Sequence, residues 1–292
     1  HFHINKWTDR NIKLHDNHQD FYVNLVFKNT ETLSRLLLPK LHISNNTNLT
    51  ATFTSNNYML NSTLVSEEIT YNNIRFVDLN IKNKTSNKKT TATFQLDELI
   101  FKDSTENNPL KLSMENLNFL FDIHNDSILF DFAWDDNIIS DRNKGDIDAF
   151  YVMNDNNEGK LNISSFDVII NDTTWHMTHN GYIDFKNDKT IINDIDFYTQ
   201  KQSLKIDGYY PKTSADTLYI SFHDFNISNV DVITTPKGLN FDGVINGDLQ
   251  MSGISDKFTF LSNLDILNIG INNHIVGDAV IDANWNAPDT SI

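Results

Sequence analysis

Hydrophobic and polar residues alternate with a period of two over most of the chain. The segment 240–253, NFDGVINGDLQMSG, shows this most clearly, because Phe241 and Ile245 fall on one side while Asp242 and Asp248 fall on the other. A period of two is typical of a β-strand that has one apolar face and one polar face. The segment is therefore predicted to be a half-buried strand.

The same alternation recurs in many runs along the chain. Among them are LNFLFDI, ILFDFAW, GYIDF, TLYISF and IVGDAVIDANW, and the turn-rich clusters SDRNKGD, MNDNNEGK and FKNDKT separate such runs at hairpin spacing. The pattern predicts an all-β fold built as a long antiparallel meander. The cluster NDNNEG has an Asn where a calcium loop begins with Asp, so we interpret it as a hairpin turn.

One segment, TETLSRLLLP, has a helical pattern instead. Leu33, Leu36 and Leu37 fall on one stripe, Asn29 or Thr30 is placed to cap the helix, and Pro39 is placed to stop it. We therefore expect one short helix near residues 31–38. A single short helix cannot cover so much sheet.

The apolar face of the predicted sheet must avoid water by closing on itself, by stacking against a second sheet or by curling into a trough. The alternation predicts which side chains line this face. The expected lining residues are Phe119, Phe121, Phe130, Phe132, Trp134, Ile245, Leu249, Met251, Phe258, Phe260, Leu264, Ile266, Ile281 and Trp285.

Three glycines, Gly243, Gly247 and Gly253, fall on the apolar side of segment 240–253 although they fill no core. Glycine removes side-chain bulk and lets a strand bend sharply, so we interpret them as curvature positions. The alternative is that they mark bulges or strand ends, where glycine is also common.

Parts of the sequence echo one another. FDFAWDD around Trp134 is similar to IDANWNA around Trp285, and Pro39-Lys40 is similar to Pro236-Lys237, but the two spacings differ. The echoes favour an array of similar hairpin units with variable insertions over a repeat of fixed length. We treat residues 1–292 as one elongated array with approximate sub-units 1–135 and 136–292.

Composition narrows the classes of function. The chain has a formal charge of −16 and no basic run that could bind a phosphate backbone. This argues against a nucleic-acid partner. The chain has no Cys, so it has neither a disulfide framework nor a thiolate metal site. It also contains no run of 18 apolar residues that would indicate a membrane-spanning helix.

Several segments of the chain form a recognisable progression. They are WHMTHNGYIDF, QSLKIDG, ADTLYISFHDFNISNV, GVINGDLQMSG and IVGDAVIDANW, and YVNLVFKNTETLSRLLLPKLHISNNTNLTATF looks like a more divergent copy. Together these segments resemble the TamB family of AsmA-like envelope proteins. The first copy departs from the second at one point, because Asn48 and Thr50 stand around Leu49 where the second copy has Gly243 and Gly247.

The resemblance implies a fold, a ligand and a location. Proteins of that family curl a long antiparallel sheet into a taco-like trough whose concave face is apolar. They are anchored in the inner membrane, here by a segment outside this fragment, and they cross the periplasm. Their groove carries phospholipid or another acyl-chain ligand toward the outer membrane and supports outer-membrane biogenesis, with an outer-membrane assembly protein as a further partner.

Candidate catalytic and metal sites are weak, so we predict a non-enzymatic protein without cofactor, catalytic residues or metal. His1 with His3 and His176 with His179 have metal-like spacing, but no carboxylate or Cys completes either pair. Asp146 with Asp148 and Asp194 with Asp196 share a strand face, but it is the polar face, where solvation explains them.

A second function remains open, namely a closed β-sandwich that binds a glycan or a protein at the cell surface. A glycan site places aromatic side chains on a polar face, as Tyr182 and Tyr219 are here, although the two are far apart in the sequence.

Overall fold

The computed structural model describes residues 19–86, 89–102, 111–135, 143–154, 156, 158–170, 172–178, 181–234 and 238–286. These residues form one sheet of eighteen strands with few helices, and every strand pairing in it is antiparallel. The prediction of an all-β fold built from one long antiparallel sheet is therefore confirmed.

The strands and helices follow one another along the chain in a simple order. They are β1 (Asp20–Phe27), α1 (Glu31–Leu37), β2 (Leu41–Ile43), β3 (Thr47–Thr54), β4 (Met59–Tyr71), β5 (Ile74–Ser86), β6 (Lys89–Lys102), β7 (Lys111–His124), β8 (Ser127–Asp135), β9 (Asn143–Met153), β10 (Gly159–Ile170), β11 (Thr173–Met177), β12 (Tyr182–Phe185), β13 (Thr190–Tyr198), β14 (Ser203–Tyr209), β15 (Thr217–Asn226), α2 (Asp231–Thr234), β16 (Phe241–Ser252), β17 (Thr259–Ile271) and β18 (His274–Asn286). Short 3₁₀ segments lie at Ser55–Asn57 and Ile227–Val230.

The sheet is a meander in which most strands pair with the next strand of the chain. Two positions across the sheet are each filled by two short collinear strands: β2 and β3 both pair with β4, and β11 and β12 both lie between β10 and β13. Because β1 pairs with β3 and β18 pairs with β17, these two strands form the opposite edges of the sheet.

Helix α1 lies within the predicted range. Its N-cap residue is Thr30, whose side chain makes no capping bond, and Asn29 Oδ1 accepts a hydrogen bond from the Glu31 N–H at 3.0 Å. The predicted apolar stripe is wrong at Leu36, which is 80 % exposed. The helix instead buries Thr30 and Ser34, because Thr30 Oγ1 donates to the Ile43 carbonyl of β2 and so turns this side toward the sheet.

A second helical segment, the 3₁₀ turn Ile227–Val230 followed by α2, was not predicted. The Asn226 side chain caps it by accepting a hydrogen bond from the Ser228 N–H at 3.0 Å. This segment connects β15 to β16, just as α1 connects β1 to the β2–β3 pair. Pro39 follows α1, whereas Pro236 and Lys237 lie outside the described residues.

The two helical segments belong to two units that share one order of elements. In unit one, β1 is followed by α1, β2–β3, β4 and β5, and in unit two β15 is followed by residues 227–234, β16, β17 and β18. In both units the first strand pairs with the strand after the helical segment, and two further strands are added in sequence. Both units belong to the same sheet.

The predicted turn at NDNNEG connects β9 to β10. Within it, the Asn154 N–H donates to the Glu158 carbonyl, and Asn154 Oδ1 accepts from the N–H groups of Asn156 and Glu158. These contacts fix the loop, so the turn interpretation is confirmed there.

Farther back along the chain, β8 and β9 pair across the suggested sub-unit boundary between residues 135 and 136.

Candidate functional site

One row of apolar residues crosses the whole sheet, and we call it the Leu25 row. Residues that face each other on antiparallel strands share a face of the sheet, so the pairing register defines the row directly. It runs through Leu25, Leu49, Leu64, Ile81, Phe94, Phe119, Phe132, Ile147 and Phe166. Next to Phe166, Asp167 faces His176, and the row resumes at the adjacent Met177 and runs through Phe197, Leu204, Phe222, Gly247, Leu264 and Ile281.

A second row on the same face, the Phe21 row, lies four residues away along the outer strands. It runs through Phe21, Phe53, Leu60, Thr85, Thr90, Ile123, Ile128 and Tyr151. It continues through Leu161, Ile183, Ile192, Gly208, Leu218, Met251, Phe260 and Trp285. The sheet therefore presents an apolar face, defined by these two rows, from one edge to the other.

The opposite face is more polar from β1 to β9. A row of facing residues there consists of Asn24, Thr50, Thr63, Lys82, Thr93, Leu120, Asp131 and Asp148. Only Leu120 in this row is apolar, although Val65, Leu129 and Val152 are exposed elsewhere on the same face.

The lining residues predicted from the sequence lie on these strands, except for Phe258. The Leu25 row contains Phe119, Phe132, Leu264 and Ile281, and the Phe21 row contains Met251, Phe260 and Trp285. Phe121, Phe130 and Leu249 lie between the rows, whereas Trp134, Ile245 and Ile266 lie beyond the Leu25 row. Phe258 precedes β17, and its ring lies 6.1 Å from that of Trp285.

Aromatic rings form a continuous patch where β6, β7 and β8 meet. The ring centroids of Phe119 and Phe132 are 4.1 Å apart and stacked, and the Phe132 ring is 5.0 Å from that of Trp134. Phe121 contacts Phe130 edge to face at 5.6 Å. These side chains are only partly buried, whereas Leu96 and Leu117 beside them are almost fully buried. The patch is thus partly accessible apolar surface that packs beside a buried cluster of Leu79, Leu96 and Leu117 on the same face.

The three predicted curvature glycines occupy different positions in β16. Gly243 lies at a register shift between β16 and β17, and Gly253 follows the last residue of the strand, so both fit the bulge or strand-end alternative. Gly247 lies within the paired stretch opposite Leu264. Its φ of 121° is a conformation that residues with a side chain rarely adopt.

Sequence reasoning missed a recurrent strand irregularity. Asp78, Asn116, Asp194 and Asp224 each adopt a positive φ inside a strand, and each directly precedes a buried apolar residue. Those four buried residues are Leu79, Leu117, Ile195 and Phe225. At Asp194 and Asp224 the register shifts by one residue against the next strand, so each of these two is a bulge, which bends the strand and resets the alternation. At Asp78 and Asn116 the register with the neighbouring strands is kept, so no residue is inserted there.

The four positive-φ sites share a sequence signal. The four sites read Asp78-Leu-Asn-Ile, Asn116-Leu-Asn-Phe, Asp194-Ile-Asp-Phe and Asp224-Phe-Asn-Ile, that is, Asp or Asn, apolar, Asp or Asn, apolar. Asp and Asn tolerate the left-handed conformation better than other side chains. The motif could have been recognised by its recurrence on every second strand in each half of the sheet.

Side chains from the next strand satisfy the backbone of the two bulges at Asp194 and Asp224. The Asp194 N–H donates to Asp207 Oδ1 at 3.0 Å, and the Asp224 N–H donates to Asn246 Oδ1 at 2.8 Å. Because a bulge removes a residue from the ladder, its N–H needs another acceptor. Polar side chains on the polar face supply it, which fixes the position of the bend.

The predicted aspartate pairs also lie on the polar face. The carboxylates of Asp131, Asp146 and Asp148 lie within 4.8 Å of one another. Burial raises the pKa of Asp146 above its usual value, and the neighbouring carboxylates, first Asp148 and then Asp131, add to that shift. The cluster makes this part of the polar face strongly acidic and repels anionic groups.

The second pair, Asp194 and Asp196, borders Lys205, whose Nζ lies 2.7 Å from Asp194 Oδ1. Burial raises the pKa of Asp196, while Lys205 acts in the opposite direction. Asp194 and Asp207 are engaged in the hydrogen bonds of the bulge. The pair therefore has a structural role in holding the β13–β14 hairpin.

The remaining candidates from the sequence are separate from one another. His176 pairs with Asp167 through Nδ1 at 3.5 Å, while His1, His3 and His179 lie outside the described residues. Lys160 Nζ lies 3.4 Å from the ring centroid of Tyr182, so the lysine covers one face of that ring. Tyr219 lies on a different strand, β15. The described residues contain no helix long and apolar enough to cross a membrane.

Comparison with known proteins found no matching family model, no matching curated protein and no matching solved structure.

Proposed function

We propose that this chain is a non-enzymatic groove segment of a TamB-like protein, and that its apolar face carries phospholipid acyl chains toward the outer membrane. The observation that carries the proposal is the continuity of the Leu25 and Phe21 rows across every strand position of the sheet. In this proposal the full-length protein is anchored in the inner membrane, and the present segment lies in the periplasm.

The apolar face is accessible, which a ligand surface requires. The described residues form a single sheet, so no second sheet packs against these rows. At the edges Leu25 is 47 % exposed and Trp285 is 58 % exposed, and Phe94, Phe119 and Phe132 in the middle are only partly buried. Apolar patches beyond a few hundred Å² are rare on monomeric proteins unless they bind something.

Ring contacts between strands that are not neighbours support a trough. Phe166 on β10 and Phe197 on β13 have centroids 5.0 Å apart, although β11 lies between their strands. Lines of residues two strands apart in a flat sheet are separated by roughly 10 Å. Trp175 on β11 and Phe225 on β15 approach to 5.8 Å in the same way. Bending toward the apolar face would bring such pairs together.

The energetics suit a sliding ligand. Each buried methylene contributes roughly 0.8 kcal/mol, so half a lipid tail is held by several kcal/mol without any specific contact. Both rows present aliphatic and aromatic side chains at nearly every strand, and the acidic polar face repels a phosphate headgroup. An acyl chain can therefore move along the face without meeting a headgroup-specific trap.

The sandwich alternative is less well supported by this architecture. A closed sandwich requires two packed sheets, whereas the described strands belong to one. The two tyrosines suggested for a glycan site lie on separate strands, and one has a lysine over its ring. The outer-membrane assembly protein rests on the family resemblance alone.

The direct test places a charge on the face. Leu249 faces Ile220 and Ser262 between the two rows, while Gln250 beside it faces Tyr219 and Leu261 on the other side of the sheet. Leu249→Arg should remove most of the bound lipid, because the cation is costly to desolvate in the acyl path. Gln250→Arg is the matched control and should retain lipid.

Thermal stability of the same two variants separates an open face from a closed core. On an open face a long charged side chain reaches water, so Leu249→Arg should stay folded with a small loss of melting temperature. A variant that unfolds while Gln250→Arg is stable, or one that binds lipid unchanged, would contradict the proposal.

A further inference from the structure

A third line of residues, the Val23 row, lies on the apolar face between the Leu25 row and the Phe21 row. The pairing register carries it from β1 to β7 through Val23, Ala51, Ser62, Asn83, Ala92 and Phe121. Its two polar members, Ser62 and Asn83, face each other on β4 and β5. They therefore interrupt the apolar face along its centre line.

Two threonines extend this interruption. Thr85 and Thr90 face each other in the Phe21 row, on β5 and β6. From β1 to β7 the Leu25 row is entirely apolar, and so are the other members of the Phe21 and Val23 rows. The polar side chains of Ser62, Asn83, Thr85 and Thr90 are thus gathered on three neighbouring strands, and we call them the polar island.

Hydrogen bonds within the polar island leave some of its capacity unused. Thr90 Oγ1 donates to Thr85 Oγ1 at 3.1 Å, and Thr85 Oγ1 lies 3.3 Å from Asn83 Oδ1. Asn83 Nδ2 lies 3.4 Å from the Leu60 carbonyl, which is longer than an ordinary N–H···O bond. The described residues provide no hydrogen-bond partner for the Ser62 hydroxyl.

The chemistry of these groups selects what can lie over them. All four side chains are half-buried, so a ligand can reach them. A hydrocarbon chain over the island would displace water from its polar atoms and return no hydrogen bond, which costs free energy. The Ser62 hydroxyl and the Asn83 amide are neutral donors, so a carbonyl oxygen is a matching acceptor.

The position of the island suits the junction between the chains and the headgroup of a lipid. On one side, two strands along the Val23 row, Phe121 belongs to the aromatic patch. On the other side, Thr85 and Thr90 adjoin Ser86 and Lys89, the last residue pair before the β5–β6 turn. A lipid whose junction lies at the island would place its chains on the patch and its headgroup beyond the strand ends, in water.

We propose that the polar island binds the ester carbonyl groups of a diacyl phospholipid, with Ser62 and Asn83 as the donors. The inference rests on the proposed function, because the island is part of the same acyl-chain surface. Ester carbonyls lie between the acyl chains and the headgroup, and diacyl phospholipids share them whatever headgroup they carry. The island therefore positions the lipid across the face without selecting a headgroup.

Competition between an ester lipid and its ether analogue tests the island. Dihexadecanoyl phosphatidylcholine and dihexadecyl phosphatidylcholine share headgroup and chain length, but only the first has carbonyl acceptors. The protein is incubated with vesicles that contain equal amounts of both, and native mass spectrometry measures the two adducts. The ester lipid should be in about two- to ten-fold excess, the range that one net neutral hydrogen bond supplies.

Ser62→Ala and Asn83→Val each remove a donor and should bring the two adducts toward equal amounts, while the ether lipid still binds. Thr63→Ala is the matched control and should keep the ester excess, because Thr63 is adjacent to Ser62 but faces Lys82 on the opposite face. A ratio is measured because a substitution that only weakens the fold lowers both adducts together.

Equal adducts on the unmodified protein, or an ester excess that survives both substitutions, would overturn the role of the island and leave the acyl-chain surface standing. Binding of neither lipid would instead contradict the proposed function, and this inference with it.

Discussion

The indole ring of Trp134 on β8 lies directly over Gly145 on β9. The two residues face each other in the strand register, and a Cβ atom added to Gly145 would overlap the six-membered ring of the indole. Gly145 is fully covered as a result. A large aromatic residue opposite a glycine is one way in which this sheet packs its apolar face closely.

Gly145→Ala should therefore destabilise the fold. Relieving the overlap requires Trp134 to leave its position against Phe132, and overpacking of this kind costs about 1–3 kcal/mol. Urea denaturation measures the loss. In a Trp134→Leu background the same substitution should cost at least about 1 kcal/mol less. Equal costs in both backgrounds would show that the indole does not set the requirement for glycine.

Gly247→Ala and Gly277→Ala form a matched pair that separates backbone strain from steric overlap. Their φ angles are 121° and 127°, so both should incur a strain of about 1–3 kcal/mol. A Cβ at Gly247 would also overlap the backbone carbonyl of Asn263 on β17, whereas a Cβ at Gly277 meets nothing within 4 Å. Gly247→Ala should thus be clearly the more destabilising change in equilibrium unfolding, and the reverse order would contradict this packing.

The bulge at Asp224 predicts that this position accepts glycine more readily than a β-branched residue. Its φ of 44° suits Asp, Asn or Gly but not a β-branched residue. Asp224→Gly should change the free energy of unfolding by about 1 kcal/mol or less, and Asp224→Val should lower it by more than about 2 kcal/mol. Tyr219→Val on the same strand is the control and should be mild. A mild Asp224→Val would argue against the bulge.

The acidic cluster predicts a pH-dependent effect of Asp146→Asn. The pKa of Asp146 is raised in the folded state, so the folded protein holds this proton more tightly than the unfolded chain does. The stability from protonation is present at low pH and is lost as the pH rises through the folded-state pKa. The Asn variant should hence melt higher than the unmodified protein at pH 7, and the difference should close as the pH falls to the usual value of 3.8.

Melting curves at both pH values check this prediction, with Asp282→Asn as a control outside the cluster. A difference that grows on acidification would have the wrong sign and would exclude repulsion within the cluster as its cause.

The fold could be predicted from the sequence because alternation is a local signal. In β8 the apolar residues Phe130, Phe132 and Trp134 alternate with Asp131, so the sequence alone predicts which side of the strand is apolar. Hairpin turns such as Asn154–Gly159 predict that the strands on either side of them pair. The helix at Glu31–Leu37 was also predictable from local sequence, with Pro39 just beyond its end, although its apolar stripe is wrong at Leu36.

What could not be predicted depends on tertiary context. Leu36 faces solvent because hydrogen bonding of Thr30 to β2 decides which side of α1 meets the sheet. The bulges at Asp194 and Asp224 depend on hydrogen-bond acceptors from other strands. A search for alternation with a period of two does not reveal where an extra residue is inserted into a strand. The curvature of the sheet and the ligand of its apolar face depend on many strands together, so a local sequence pattern does not predict them.

Native mass spectrometry of the purified, detergent-free protein tests the central proposal most directly. After incubation with phospholipid vesicles, the protein should carry adducts of phospholipid mass, and Leu249→Arg should lose them while Gln250→Arg keeps them. The bare mass of the chain alone under these conditions, or equal adducts on both variants, would contradict the account of the apolar face as an acyl-chain surface.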